Sequence, residues 1–266
     1  FRGLNFGIDF SGGILIEIKT EGPADLATLR STLNNLNLGE VGLQEFGDPD
    51  NILIRIERQQ GGEETQQAAV ETIKNALGPN IDYRRIEVVG PQVSSELFTN
   101  GILALFAAIG GIIVYIWFRF EWQFALGAVI AELHDVLTTI GLFALFGLEF
   151  NLTTVAALLT IAGYSINDTV VVYDRVRENL RKYKTMPIEQ LFDLSLNQTL
   201  SRTFNTGITT LLALLALYIF GGEVIRGFAL AMIWGVLIGT YSSIGAAVPL
   251  LTVFRLRRSS GSPATE

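Results

Sequence analysis

Beyond residue 98 the chain is dominated by five apolar runs, roughly 98–118, 124–147, 152–174, 203–221 and 227–254. Each is close to the ~20 residues a helix needs to cross ~30 Å of hydrocarbon. Inside that medium a backbone must satisfy its own hydrogen bonds, so runs of this length predict membrane-spanning helices. Pro249 near the end of the last and longest run predicts a kink. With a mean hydropathy of +0.40, the chain reads as an integral membrane protein.

The third run holds Asp168, in TIAGYSINDTVVVYDRVREN. A charge at the bilayer centre costs ~3 kcal/mol on insertion scales, so it seldom stands there without a task. Counting 1.5 Å per helical residue, Asp168 lies ~24 Å from the start of its run. Arg202, at the start of the fourth run, falls at a similar depth and is the expected partner. Arg202, Asn205, Thr206 and Thr209 share one helical face at i, i+3, i+4 and i+7, and Tyr164, Ser165 and Asp168 make a facing stripe, with Asn167 beside them. In the second run His134 and Asp135 lie ~15–18 Å from its start. Burial favours a protonated carboxyl and a nearby guanidinium favours a charged one, so Asp168 beside Arg202 would be poised to bind and release a cation. Duller readings apply to each residue: Asp168, Asn205, Thr206 and Thr209 as inter-helix hydrogen-bonding glue, Arg202 as a snorkelling anchor, and the His134–Asp135 pair with no fixed meaning by itself.

Ahead of the runs, residues 1–96 alternate between period-two and helical patterns. LNFGIDFSGGILIEIKT reads as extended structure interrupted by Gly12 and Gly13, a bulge or a close backbone approach. PADLATLRSTLNNLN reads as a helix opened by Pro23, EVGLQEF and NILIRIE as strands joined at Gly47, Asp48 and Pro49, GEETQQAAVETIKNALG as a helix stopped by Gly78, and IDYRRIEVVG as a last strand. The order βαββαβ predicts a small α+β ferredoxin-like domain with two helices on one face of its sheet. The expected organisation is thus this domain over 1–96, a helical multi-span bundle over 97–258 and a tail over 259–266.

Charge sets the expected sidedness. Of 19 Lys and Arg, 8 lie before residue 99, against 15 of 26 Asp and Glu, an acidic domain that argues against a nucleic-acid partner. Arg175, Arg177, Arg181, Lys182 and Lys184 between the third and fourth runs, Arg119, and Arg255, Arg257 and Arg258 in the tail predict cytoplasmic loops; Arg226 alone offends. The 1–96 domain is then extracytoplasmic. DRVRENLRKYK reads as a solvated helix. The chain has no cysteine, hence no disulfide frame or thiolate metal site, and no Gly-rich phosphate loop. Starting at Phe1, it is expected to lack its natural start.

GLNFGIDFSGG, VGPQVSSEL, the HDVLTTIGLFALFGLEFNLTTVAALLTIAGYSINDTVVVYDRVREN block and SRTFNTGITT together closely resemble the SecF family, the membrane partners of SecD in bacterial protein export. The likeness implies membership of the resistance-nodulation-division superfamily, with six spans of which the first is missing here, in the bacterial inner membrane. It implies a non-enzymatic subunit acting with SecD beside SecYEG on unfolded preprotein, driven by a proton or sodium gradient and needing no cofactor. The family's ion-pathway carboxylate maps onto Asp168 and its functional arginine onto Arg202. By the depth and helical-face reading above, His134, Asp135, Ser165, Asn167, Asn205 and Thr209 would complete the pathway, with Asp9, Gly12 and Gly13 a structural motif. The competing classes are a small-molecule exporter of the same superfamily, an intramembrane aspartyl protease using Asp135 and Asp168 at ~3 Å, and a non-conducting scaffold.

Overall fold

A computed structural model describes residues 3–254, so Arg255, Arg257 and Arg258 lie outside the described residues. Two compact units are present: one runs to Leu103 and includes Gly147–Leu152, the other holds Ala104–Phe146 and the chain from Thr153 onward.

In the first unit, alternation does the folding. On β2 (Gly13–Lys19), Ile14, Ile16 and Ile18 point to one face, and in register opposite them stand Ile56, Ile54 and Ile52 of β4 (Asp48–Ile56). All six are fully buried, under Leu33 of helix α2 (Leu26–Asn34) and Ala69, Val70 and Ile73 of α3 (Glu63–Leu77). With β3 (Val41–Phe46) and β5 (Asp82–Val89) the strands lie in the order β3-β4-β2-β5, all antiparallel. That is the expected βαββαβ ferredoxin-like sheet. Helix α2 is opened not by Pro23 but by Asp25, whose carboxylate accepts from the Ala27 and Thr28 amides at 2.9 and 3.2 Å; those hydrogen bonds, led by that from the Thr28 hydroxyl, hold its carboxyl below the usual range.

The stretch before β2 departs from the expected extended form. Asn5–Phe6 is a two-residue strand, β1, and Ile8–Ser11 closes one helical turn, α1. Ile8 packs with Leu15 and Leu53 beneath the sheet, so β2 is buried on both faces. The turn ends at Gly12 (φ +70°) and Gly13 (φ +126°), and a β-carbon on Gly13 would sit 2.5 Å from the Ile56 carbonyl oxygen. Here glycine is a steric requirement.

Strand β1 pairs in parallel with β6 (Glu149–Phe150), Asn5 opposite Glu149 and Phe6 opposite Phe150. Phe6, Phe10, Phe98 and Phe150 stack around this ladder with centroids 5.8–6.2 Å apart. The Asp9 carboxylate accepts from the Leu152 amide at 2.8 Å, at the first residue of a long helix. Glu149 is ion-paired with Arg55 of β4; burial raises its carboxyl pKa, and the Arg55 charge opposes that shift.

Five helices are long and apolar enough to cross a membrane: α4 (Pro91–Arg119), α5 (Trp122–Phe146), α6 (Leu152–Lys182), α7 (Ile188–Phe220), and α8 (Glu223–Ser242) continued as far as Val253. Within the apolar stretch of each, α6 buries 44% of residues and α4 6%, which makes α6 central and α4 peripheral. The basic connection expected over 175–201 is largely helix: α6 runs on to Lys182 and α7 begins at Ile188. DRVRENLRKYK is only partly solvated, because Val176 joins the core and Asn179 is buried, donating to Ser195 Oγ and Gln198 Oε1 at 2.8 and 2.9 Å.

Substituting Gly13→Ala should destabilise the sheet unit by about 3 kcal/mol, the upper end of the cost of forcing a side chain into such a dihedral. Faster hydrogen exchange at the Ile14 and Ile54 amides would report it; Gly22→Ala, where nothing lies within 4 Å, should leave exchange unchanged.

Candidate functional site

Two carboxylates organise the interior of the helical unit. Asp135 is fully buried on α5. Its Oδ2 accepts from the hydroxyls of Ser165 on α6 and Ser242 on α8, the latter at 2.6 Å, and His134 Nδ1 lies 3.0 Å from its Oδ1. Asp168 on α6 is half-buried, with Thr203 Oγ1 of α7 donating to Oδ1 and Ser243 Oγ to Oδ2, both at 2.8 Å. Adjacent serines, Ser242 and Ser243, therefore hold two different carboxylates.

The backbone there is a π-helical segment, Ser243–Ala247, followed by α9 (Val248–Val253). Pro249 has no amide to donate to the carbonyl four residues back, Gly245, so the regular ladder cannot continue through this turn. The kink expected at Pro249 thus takes the form of a widened turn just ahead of it, a feature common at functional sites. The freed geometry is braced from α6: Tyr173 donates its hydroxyl to the Ala247 carbonyl at 2.8 Å. Tyr173 fits only because Gly127 faces it, where a β-carbon would come within 2.5 Å of the hydroxyl. Close helix contact is repeated at Gly235 against Ile161 and Gly239 against Ser165, the small-residue packing of membrane helices.

The expected residues are only partly brought together. Ser165 and Asp168 share a face of α6 as read, but Ser165 donates to Asp135 while Asp168 accepts from Thr203 and Ser243. Arg202 does not reach Asp168: among the described residues no ion pair joins them, and Arg202 is exposed beside a hollow lined by Asp174, Glu178 and Gln198. Asn205 and Thr209 are also exposed, with the Thr209 hydroxyl returned to the Asn205 carbonyl at 2.8 Å, and Asn167 points outward. The buried polar face of α7 carries Ser195, Thr199, Thr203 and Gly207, spaced i, i+4. The anticipated stripe was one residue out of phase, about 100° around the helix.

Four residues went unread. Thr203, Ser242 and Ser243 are hydroxyls that resemble ordinary helix packing residues in the sequence. Glu132 is different: it is 2% exposed, and neither carboxylate oxygen has a hydrogen-bond partner among the described residues. Its position in AELHD, one turn before Asp135, was a legible signal. Among the described residues no hydrogen bond links Asp135 to Asp168, and each accepts from two hydroxyls of its own, unlike the shared-proton geometry of a protease dyad.

Residues 69–257 match the family described as "Protein export membrane protein SecD/SecF, C-terminal", and residues 1–24 match the "SecD/SecF GG Motif", which includes Asp9, Gly12 and Gly13. The chain is 53% identical over 251 residues to the "Protein translocase subunit SecF" of Cereibacter sphaeroides, covering 91% of this chain and 78% of that protein. It is 52% identical over 272 residues to the protein of the same description from Rhodobacter capsulatus, covering 97% and 82%. The crystal structure of SecDF, described as a translocon-associated membrane protein from Thermus thermophilus, superposes with a TM-score of 0.85 at 38% identity over 95% of this chain. SecDF in a super-membrane-facing form gives 0.67 at 37% over 96%. This chain spans 35% of the length of each solved SecDF chain.

Ser242→Ala and Ser165→Ala should each destabilise the bundle by about 1.5–3 kcal/mol, the range for hydrogen bonds to a charged group. Because both act on Asp135 Oδ2, the double variant should depart from the sum by about 0.5–3 kcal/mol. Thermal unfolding in detergent micelles measures all three.

Proposed function

This chain belongs to the SecD/SecF family of protein-export membrane proteins, and from that membership we propose that it is an auxiliary, non-enzymatic subunit of the Sec translocase that couples a transmembrane cation gradient to preprotein export. It acts with a SecD-type partner beside the SecYEG channel, in the bacterial inner membrane. The sheet unit is extracytoplasmic and the Arg175–Lys184 segment cytoplasmic, as the distribution of Lys and Arg supports.

The observation that carries this reading is Asp168: a half-buried carboxylate within a helix long enough to span, held by two hydroxyls and, among the described residues, by no fixed cation. Hydroxyls can turn. Thr203 and Ser243 donate to a carboxylate and can accept from a carboxylic acid, so the cage tolerates both states of Asp168. A fixed Arg partner would hold the charged state alone. Arg202 stands one residue from Thr203, so a rotation of α7 by about 100° would bring it toward Asp168. One charge crossing the membrane potential yields ~2.3 kcal/mol per 100 mV, enough to shift a two-state equilibrium by tens of fold.

The route from site to sheet unit is covalent. Helix α6 carries Asp168 and starts at Leu152, whose amide is held by Asp9, and the residues before it pair with β1. A change along α6 therefore pulls on a loop that is part of the sheet unit. Whether the cation is H⁺ or Na⁺ turns on the same site, since an oxygen cage suits either.

Asp168→Asn should lower gradient-dependent translocation in membrane vesicles at least tenfold, with the subunit present at normal levels. Loss at both high and low sodium indicates proton coupling. Export that survives Asp168→Asn but fails on removal of the subunit would make it a scaffold.

A further inference from the structure

Glu132 has no place in the cage around Asp168, and it is the most anomalous side chain in the helical unit. It lies ~15 Å along α5 from Trp122, midway in the helix. Its exposure is 2%, with both carboxylate oxygens buried and unpartnered among the described residues. Asp135, three residues on and on the same face, is also fully buried, but it accepts two hydroxyls and faces His134. Two adjacent buried carboxyls cannot both be ionised without a cation between them.

Among the described residues no ion pair brings such a cation to Glu132. Helices α8 and α9 and the π segment, which pack on α5, have no charged residue from Gly227 to Phe254. Residues 104–118 of α4 have none, and the first charge on α6 is Asp168 itself. On α7 the charges are Glu189, Asp193 and the exposed Arg202. His134, 40% exposed by its side chain, is turned to Asp135.

The pair is therefore asymmetric by construction. Asp135 is solvated by hydroxyls and suited to hold the negative charge; Glu132 has no polar group among the described residues to solvate a charge and is suited to hold a proton. We propose that Glu132 is a proton-storing site: a buried carboxylic acid that, once its side chain turns into hydrogen-bond reach of the Asp135 carboxylate one helical turn away, passes its proton to it and takes it back. In that transfer the Glu132 O–H bond breaks and an Asp135 O–H bond forms, and the pair keeps one negative charge throughout. Ser242 and Ser243, adjacent in the chain, put the Asp135 station next to the Asp168 station. That this store serves export rests on the gradient-coupled reading; the storage itself does not.

Infrared spectroscopy of the purified full chain, in lipid, tests the storage without any transport assay. A protonated-carboxyl C=O band that shifts in D₂O is expected in the wild type and in Asp168→Asn, and is expected to be lost in Glu132→Gln. Thermal stability should be nearly unchanged in Glu132→Gln, because an amide replaces a neutral acid of the same shape. Asp135→Asn should keep the band but slow its D₂O shift at least tenfold, since the proton has lost its acceptor. A band that survives Glu132→Gln, or a shift rate indifferent to Asp135→Asn, overturns the proposal. If Glu132→Gln does not fold, absence of an exchangeable band in the wild type overturns it as well.

Discussion

The helical unit depends on one constraint: carboxylates placed where water is scarce must be solvated by the protein. A buried polar group without a partner loses several kcal/mol of hydration, and a charge loses more. The chain meets this for Asp135 and Asp168 with hydroxyls drawn from three other helices, so the carboxylates act as junctions that fix which faces of α5, α6, α7 and α8 meet. The glycine contacts at 127, 235 and 239 follow from the same demand, because short hydroxyl side chains reach across only when helices approach closely.

The π segment is where these demands converge. A regular helix puts consecutive residues about 100° apart, which would aim Ser242 and Ser243 at different neighbours. In the structure they do face different neighbours, α5 and α6, yet each finds a carboxylate. Pro249 supplies the irregularity and Tyr173 closes it by bonding the Ala247 carbonyl. A feature that looks like a flaw in a spanning helix therefore lies beside the most polar part of the bundle.

How far the sequence could be read varied with the signal. Five spans were legible because a twenty-residue apolar run admits few folds. The βαββαβ sheet was legible because Ile14, Ile16 and Ile18 alternate against Ile52, Ile54 and Ile56. Asp168 and Asp135 stood out as charges in apolar runs. The partner of Asp168 was misassigned because a polar stripe on α7 can be drawn through Arg202 or through Thr203, and only packing decides between them. Helix α1 was missed because one helical turn has no periodicity to detect, and the helical ends of α6 and α7 because their charged residues hide the buried Val176, Asn179 and Ser195. Glu132 was visible and passed over in favour of its neighbours.

In the proposed function Asp168 is the group through which a cation passes. Proton flux in proteoliposomes holding this chain with a SecD-type partner, followed by an internal pH dye under an imposed gradient, tests it directly. The expected result is flux at the protein-free background for Asp168→Asn and above it for the unaltered chain. Equal flux from the two, with proton-driven export intact, would contradict it.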